Sequence, residues 1–224
     1  MLFDRLWGFL VLSWVSFTLW TALVFHWDAV GRLDRYCYEL AARGASSEVW
    51  TSCMGKVTFL GDGRWVCGLC GLLALFLLLR RNPAAALWLF CSLLAGIWLT
   101  WMLKALCGRP RPEGFLASWV LPNYGYPSGH TFNAVFFYCV GLRVLARKRV
   151  RFFCSGWARA VTALVVVAVG VSRVSLGVHW ASDVIGGALS GLVWLALNLM
   201  WMERFRLLGA DAGPRPPPPL SRAL

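Results

Sequence analysis

The residues able to do chemistry gather in three short segments: KALCGRPRP at 104–112, PSGH at 127–130 and SRVSLGVHWASD at 172–183. Lys104, Arg109, Arg111 and Arg173 supply cations. A phosphomonoester carries roughly −1.5 to −2 charges at neutral pH. Arginine holds phosphate through a planar fork of donors, and lysine does so as a point charge. Ser128 and Gly129 stand where a helix opens. A cap hydroxyl and free backbone N–H groups there would form an anion site, and glycine lets a phosphate approach the backbone. Two of the three histidines, His130 and His179, fall in these segments, and Asp183 follows His179 by four residues. That spacing puts imidazole and carboxylate on one helical face. A carboxylate bound to one ring nitrogen fixes the tautomer and frees the other nitrogen to attack. His130 is then the candidate to protonate a leaving oxygen. Together these residues supply a nucleophile, its orienting partner, a general acid and a phosphate cradle.

The elements that must position them are written in the apolar pattern. The chain has 224 residues, 59% of them hydrophobic, and its mean hydropathy is +0.63. Apolar runs cover roughly 6–26, 63–79, 84–104, 129–146, 152–172 and 180–202. A membrane span needs about 20 residues, and open sheets cannot cross lipid. The expected fold is therefore all-α: an integral membrane bundle of six transmembrane helices, forming one domain over 1–208. Flanking Arg64 and Arg80 are expected to snorkel from the short second run. The tail 209–224, with PRPPPP at 214–219, is expected to be disordered or polyproline-like. Each of the three polar segments lies at the end of an apolar run, and counting spans puts all three on one side. Ionisable groups beside lipid are costly, so such a cluster is a functional site by default. Between the first two runs, Leu33, Tyr36, Cys37 and Leu40 repeat at helical spacing among charges. That pattern suits a helix on the membrane surface, and equally a short lid over a site.

Other readings are less informative. The net charge is +12, but no basic segment is long, soluble and aromatic-rich as nucleic-acid binding wants, so no nucleic-acid partner is expected. The charge suits cytoplasmic loops facing anionic membrane lipids. Fourteen Trp fit a protein with two membrane interfaces. Cys67 and Cys70 form a CxxC inside an apolar run and read as packing residues. Cys37 and Cys53 share one polar loop, where a disulfide is compatible with the sequence. No small-residue cleavage site follows the first run, which is expected to be a retained helix. Each motif alone has an ordinary explanation: a cap, a topology anchor, a rigid turn. Their joint occurrence in order on one face does not.

These residues resemble the type 2 phosphatidic acid phosphatase (PAP2) superfamily of membrane lipid phosphatases. Its pattern is Lys, six residues, Arg-Pro; then Pro-Ser-Gly-His; then Ser-Arg, five residues, His, three residues, Asp. Lys104 with Arg111-Pro112, the run Pro127-Ser128-Gly129-His130, and Ser172-Arg173 with His179 and Asp183 match it throughout. The resemblance implies His179 as the nucleophile that becomes phosphohistidine, Asp183 as its partner and His130 as the acid. It implies Lys104, Arg111, Ser128, Gly129 and Arg173 as phosphate ligands. Arg109 falls at a variable position of the pattern and is carried as a helper. The family reaction uses no metal, and no cofactor is expected.

The expected activity is hydrolysis of a lipid phosphate or pyrophosphate. In a bacterial cell the substrates of that kind are undecaprenyl pyrophosphate, phosphatidylglycerol phosphate, phosphatidic acid and lipid A phosphate. A lipid-to-lipid phosphotransferase of the same superfamily and a non-enzymatic anion carrier are the alternatives. The carrier is disfavoured because the charges lie at helix ends and not mid-span. The basic residues Arg80, Arg81, Arg143, Arg147, Lys148, Arg149, Arg151, Arg159, Arg204 and Arg206 fall on one side by alternation. That side is expected to be cytoplasmic, with both termini inside the cell (inner) membrane and the site facing the periplasm or exterior. The sequence does not address oligomeric state.

Overall fold

The structure is a computed structural model that describes residues 2–113 and 124–208. The described residues form eight α-helices and no strand: α1 (Leu2–His26), α2 (Asp28–Ala45), α3 (Glu48–Phe59), α4 (Gly63–Leu79), α5 (Pro83–Cys107), α6 (Gly129–Arg147), α7 (Gly156–Ser175) and α8 (Ala181–Arg204). Local chemistry sets the boundaries. The Asp62 carboxylate accepts from Arg64 N at the start of α4, and Asn82 accepts from Ala85 N ahead of Pro83 at the start of α5. Gly108 ends α5 in the left-handed conformation at φ 60°. Ser155 caps α7. The tail 209–224 and the segment 114–123 lie outside the described residues.

Four helices, α1, α5, α7 and α8, are long and apolar enough to cross a membrane. The pair α3 and α4, bent by 42° at the break between them, qualifies together as a fifth. Helix α6 sits at the centre, packed against α4, α5, α7 and α8, while α1 lies along α8. The main apolar core, including Val66, Leu77, Leu89, Leu93, Phe136 and Val140, joins α4, α5, α6 and α8.

Two expectations change. The polar stretch 27–62 is not a loop with one surface helix but two consecutive helices, α2 and α3. The stripe Leu33, Tyr36 and Leu40 is exposed, and α2 buries instead Val30, Asp34 and Ala41. The apolar stripe is exposed on a face roughly 100° round the helix from the buried one, which is fastened inward by a carboxylate. Cys37 and Cys53 are not bonded to each other. They lie in separate helices, and both are free thiols. Cys70 is buried in the core with Cys67 packed beside it, the packing role read from the sequence.

The two ends of the bundle differ. At one end stand the C-termini of α5 and α7 and the N-termini of α6 and α8, with α2 and the α3–α4 junction over them. At the other end Asn82 Nδ2 donates to Leu207 O at 2.7 Å, Lys148 Nζ donates to Leu208 O at 3.3 Å, and Glu203 accepts from Arg143 and Arg147. The basic loops that alternation placed on one side meet there.

Candidate active site

All three sequence segments converge at the first end. His179 lies in the short connection between α7 and α8, and Asp183 lies in the first turn of α8. His179 Nδ1 is 3.4 Å from Asp183 Oδ2, and both side chains are buried. The same carboxylate oxygen accepts from Trp180 N at 3.1 Å, which ties it to the helix start. With Nδ1–H directed at Asp183, Nε2 carries the lone pair, and Arg111 Nη1 lies 3.3 Å from it. Burial, then the charges of Arg173, Arg111 and Lys104, hold His179 well below its ordinary pKa. The imidazole is therefore neutral, oriented and surrounded by cations.

The cations come from three elements. Lys104, on the last turn of α5, is buried and donates to Tyr124 O at 2.8 Å and Gly125 O at 3.2 Å. Arg111 also donates to Val178 O at 2.9 Å. Arg173, near the end of α7, donates from Nη1 to Thr58 Oγ1 at 2.7 Å. Among the described residues, its Nε is the buried side-chain polar atom left with no hydrogen-bond partner. A buried guanidinium with an idle donor is costly unless something fills it, and an anion does so.

Ser128 and Gly129 do open α6, but not as an ordinary cap. The Ser128 hydroxyl makes no capping bond and accepts from Thr131 Oγ1 at 3.2 Å. Its backbone N–H is not free: it donates to Asp183 O at 2.9 Å. This corrects the expected cap and part of the expected amide cradle. The cause is the close seating of α6 on α8. Gly187 makes it possible, because any Cβ there would strike Ser128 O. His130 follows on α6, its Nε2 4.0 Å from Asp62 Oδ2.

Arg109 does more than its variable position in the sequence pattern suggests. Its Nη1 donates to Asp183 Oδ1 at 2.5 Å and to Ser182 Oγ at 2.7 Å, and its Nη2 donates to Asp34 Oδ2 at 2.7 Å. Asp34 in turn accepts from Ser182 N at 2.9 Å and Ser182 Oγ at 2.6 Å. The guanidinium stands behind the carboxylate of the His–Asp pair, on the side away from His179.

Sequence reasoning passed over Asp34, Thr58, Asp62 and Gly125. Asp34 had one signal, its place with Val30 and Ala41 on a face of α2 beside the apolar stripe. Gly125 passes so close to Asp183 that a Cβ would lie 2.7 Å from Oδ2. Nothing in its sequence neighbourhood marks that.

Comparisons with known proteins identify the family and the fold. The family model described as "PAP2 superfamily" matches residues 85–207. Phosphatidylglycerophosphatase B of Bacillus subtilis (strain 168) is 31% identical over 113 residues, 47% of this chain and 52% of that protein. The chain thus aligns with about half the length of that relative. The crystal structure of a transmembrane PAP2-type phosphatidylglycerolphosphate phosphatase from Bacillus subtilis superposes with a TM-score of 0.78 at 26% identity. The likeness covers 87% of this chain and 96% of that one.

Proposed function

From its membership of the PAP2 superfamily, and as an integral membrane protein, we propose that this chain is a lipid phosphatase that works through a phosphohistidine on His179. One observation carries the reading. A neutral histidine, oriented by Asp183, points its free nitrogen into a group of buried cations, one of which has an idle donor. Such a site binds a phosphate and attacks it.

In the proposed reaction the phosphate displaces Arg111 from His179 Nε2 and engages Lys104, Arg111 and Arg173, with Ser128 and Gly129 at the start of α6. His179 Nε2 attacks phosphorus, and the bond to the lipid oxygen breaks. His130 gives its proton to that oxygen. Water then attacks the phosphohistidine, with His130 accepting its proton, and phosphate leaves. Asp183 stabilises the ring as it becomes charged. Buried donors fixed before substrate arrives act strongly on the charge developing at phosphorus. These cations can neutralise the phosphate unaided, so activity should survive excess EDTA.

Phosphatidylglycerol phosphate is the first substrate to test, given what the Bacillus relatives are named for. Undecaprenyl pyrophosphate, phosphatidic acid and lipid A phosphate complete the panel. Release of free phosphate from one of them by the purified protein supports the reading. Transfer to a second lipid without release would identify a phosphotransferase, and no reaction with any of them would count against both.

The proposed topology has six spans, α1, α4, α5, α6, α7 and α8, in a bacterial cell membrane. Residues 1–208 form one domain. The basic end is cytoplasmic with both termini, and the site lies outside at the level of the lipid headgroups. A lipid then enters sideways and keeps its tails in the bilayer. The exposed Glu48 and Arg151 lie toward opposite ends. In a Cys-free background, a membrane-impermeant thiol reagent on intact cells should label Glu48→Cys and spare Arg151→Cys. The reverse pattern would place the site in the cytoplasm.

A further inference from the structure

Asp183 is held from two sides. His179 and Trp180 N take Oδ2, while Arg109 takes Oδ1. The Arg109 fork continues to Ser182 and to Asp34, and Asp34 closes the circuit by accepting from both the backbone and the hydroxyl of Ser182. Asp34 is 2% exposed and the Asp183 side chain 0%. A buried carboxylate is tolerated when its oxygens are satisfied by charged and neutral donors, and this one is satisfied entirely by the catalytic end. It is also the one charged residue on the buried face of α2, whose other buried residues are Val30 and Ala41. Helix α2 is otherwise amphipathic and leaves its large apolar residues Leu33, Tyr36 and Leu40 exposed.

We infer that Asp34 and Arg109 are positioning residues: a clamp that fastens the membrane-surface helix α2 to the site and fixes the Asp183 carboxylate in the orientation that serves His179. This rests on the phosphatase reading above. Neither residue faces the phosphate. Arg109 approaches Asp183 from the side opposite His179, and Asp34 reaches the site only through Arg109 and Ser182. The clamp makes one rigid unit of three distant chain segments, and the chemistry depends on α2 being docked. Groups that orient a catalytic side chain from behind typically matter by about 10–100-fold.

The test has two arms on the full-length protein. The first is kinetic, with the best substrate of the panel. Arg109→Gln and Asp34→Asn should each lower kcat by about 10–100-fold with little change in KM. The double variant should lose less than the product of the two single losses, because Asp34 acts largely through Arg109. Arg109→Lys should recover part of the loss, since a point charge can reach Asp183 but cannot span to Asp34 as well. Additive losses, or losses confined to KM, would overturn the inference. The second arm needs no activity. Cys37, one turn beyond Asp34, is a half-buried free thiol on α2. Its modification by a small maleimide in detergent, followed by peptide mass spectrometry, should be several-fold faster in Arg109→Gln and Asp34→Asn than in the wild type. Equal rates in all three would overturn the clamp. A wild type that releases no phosphate defeats the phosphatase reading, and the labelling arm still decides whether the clamp exists.

Discussion

The two ends of the bundle use the same residue types in opposite ways. At the catalytic end, Lys104 and Arg173 are buried and Arg109 is nearly so, and they meet buried carboxylates, backbone carbonyls and the Thr58 hydroxyl. At the other end, Arg80, Arg81, Arg204 and Arg206 are exposed, while Arg147 and Glu203 are as well covered as Arg109, with the more exposed Arg143 sharing Glu203. Charges near water are well solvated and cost little, and ion pairs among them contribute about 0–1 kcal/mol. Charges taken out of water are expensive unless fully partnered, and an idle donor such as Arg173 Nε is retained because something else requires it. Burial and satisfaction, not the number of cations, separate a site from an anchor.

The contrast is broken most severely by removing the proposed nucleophile. His179→Ala should cut phosphate release by about 10³-fold or more while the protein remains folded in detergent. Monodisperse elution alongside the lost turnover would show this. Full activity in His179→Ala would sink the mechanism.

Removing one buried cation comes next. Arg173→Gln should lower kcat/KM by about 10²-fold. It should also leave a signature in the pH profile. Arg173 is one of the charges that hold His179 below its ordinary pKa. Without it the imidazole gains its proton at higher pH, and a protonated ring cannot attack. The acid limb of the remaining activity should therefore move upward. An unmoved limb would mean that Arg173 does not act on His179.

A packing change at the catalytic end has a smaller effect. Gly187→Ala would push a methyl into Ser128 O. Overpacking of this kind costs about 1–3 kcal/mol, and here it also displaces the start of α6. A lower melting temperature together with reduced kcat is expected. Unchanged values would show that α6 and α8 have slack at that contact. The smallest effect on activity belongs to the basic end. Glu203→Gln should cost about 1–3 kcal/mol of stability and leave kcat as it is. A large loss of activity there would erase the distinction drawn above.

Much of the site was legible because chemistry forces residue type and spacing. His179 and Asp183, four apart at a helix start, could be paired from the sequence alone, and the apolar runs brought Lys104, Arg111, Ser128, His130 and Arg173 to one end. The contacts of Asp34 and Gly125 were not legible, because they depend on where one segment lands on another. Asp34 sits among Asp28, Arg32, Arg35 and Glu39, where one carboxylate looks like any other. Only the docking of α2 distinguishes it. The Ser128 cap failed for a related reason: the free hydroxyl and amide assumed for a helix start were already engaged by Thr131 and by Asp183 O. The stretch 27–62 was misjudged because α2 is too polar to read as a span, and α3 becomes one only with α4.

The central claim is that His179 carries the phosphate. The most direct measurement is to mix the protein with its best lipid phosphate, quench in base to preserve phosphohistidine, digest, and locate the added phosphate by mass spectrometry. His130→Ala serves as a companion with an aryl phosphate, whose good leaving group needs no acid, so that only hydrolysis of the intermediate is slowed and its yield should rise. Phosphate on His179, absent from His179→Ala, is the predicted result. Phosphate on another residue, or steady turnover with His179 never modified, would contradict the account.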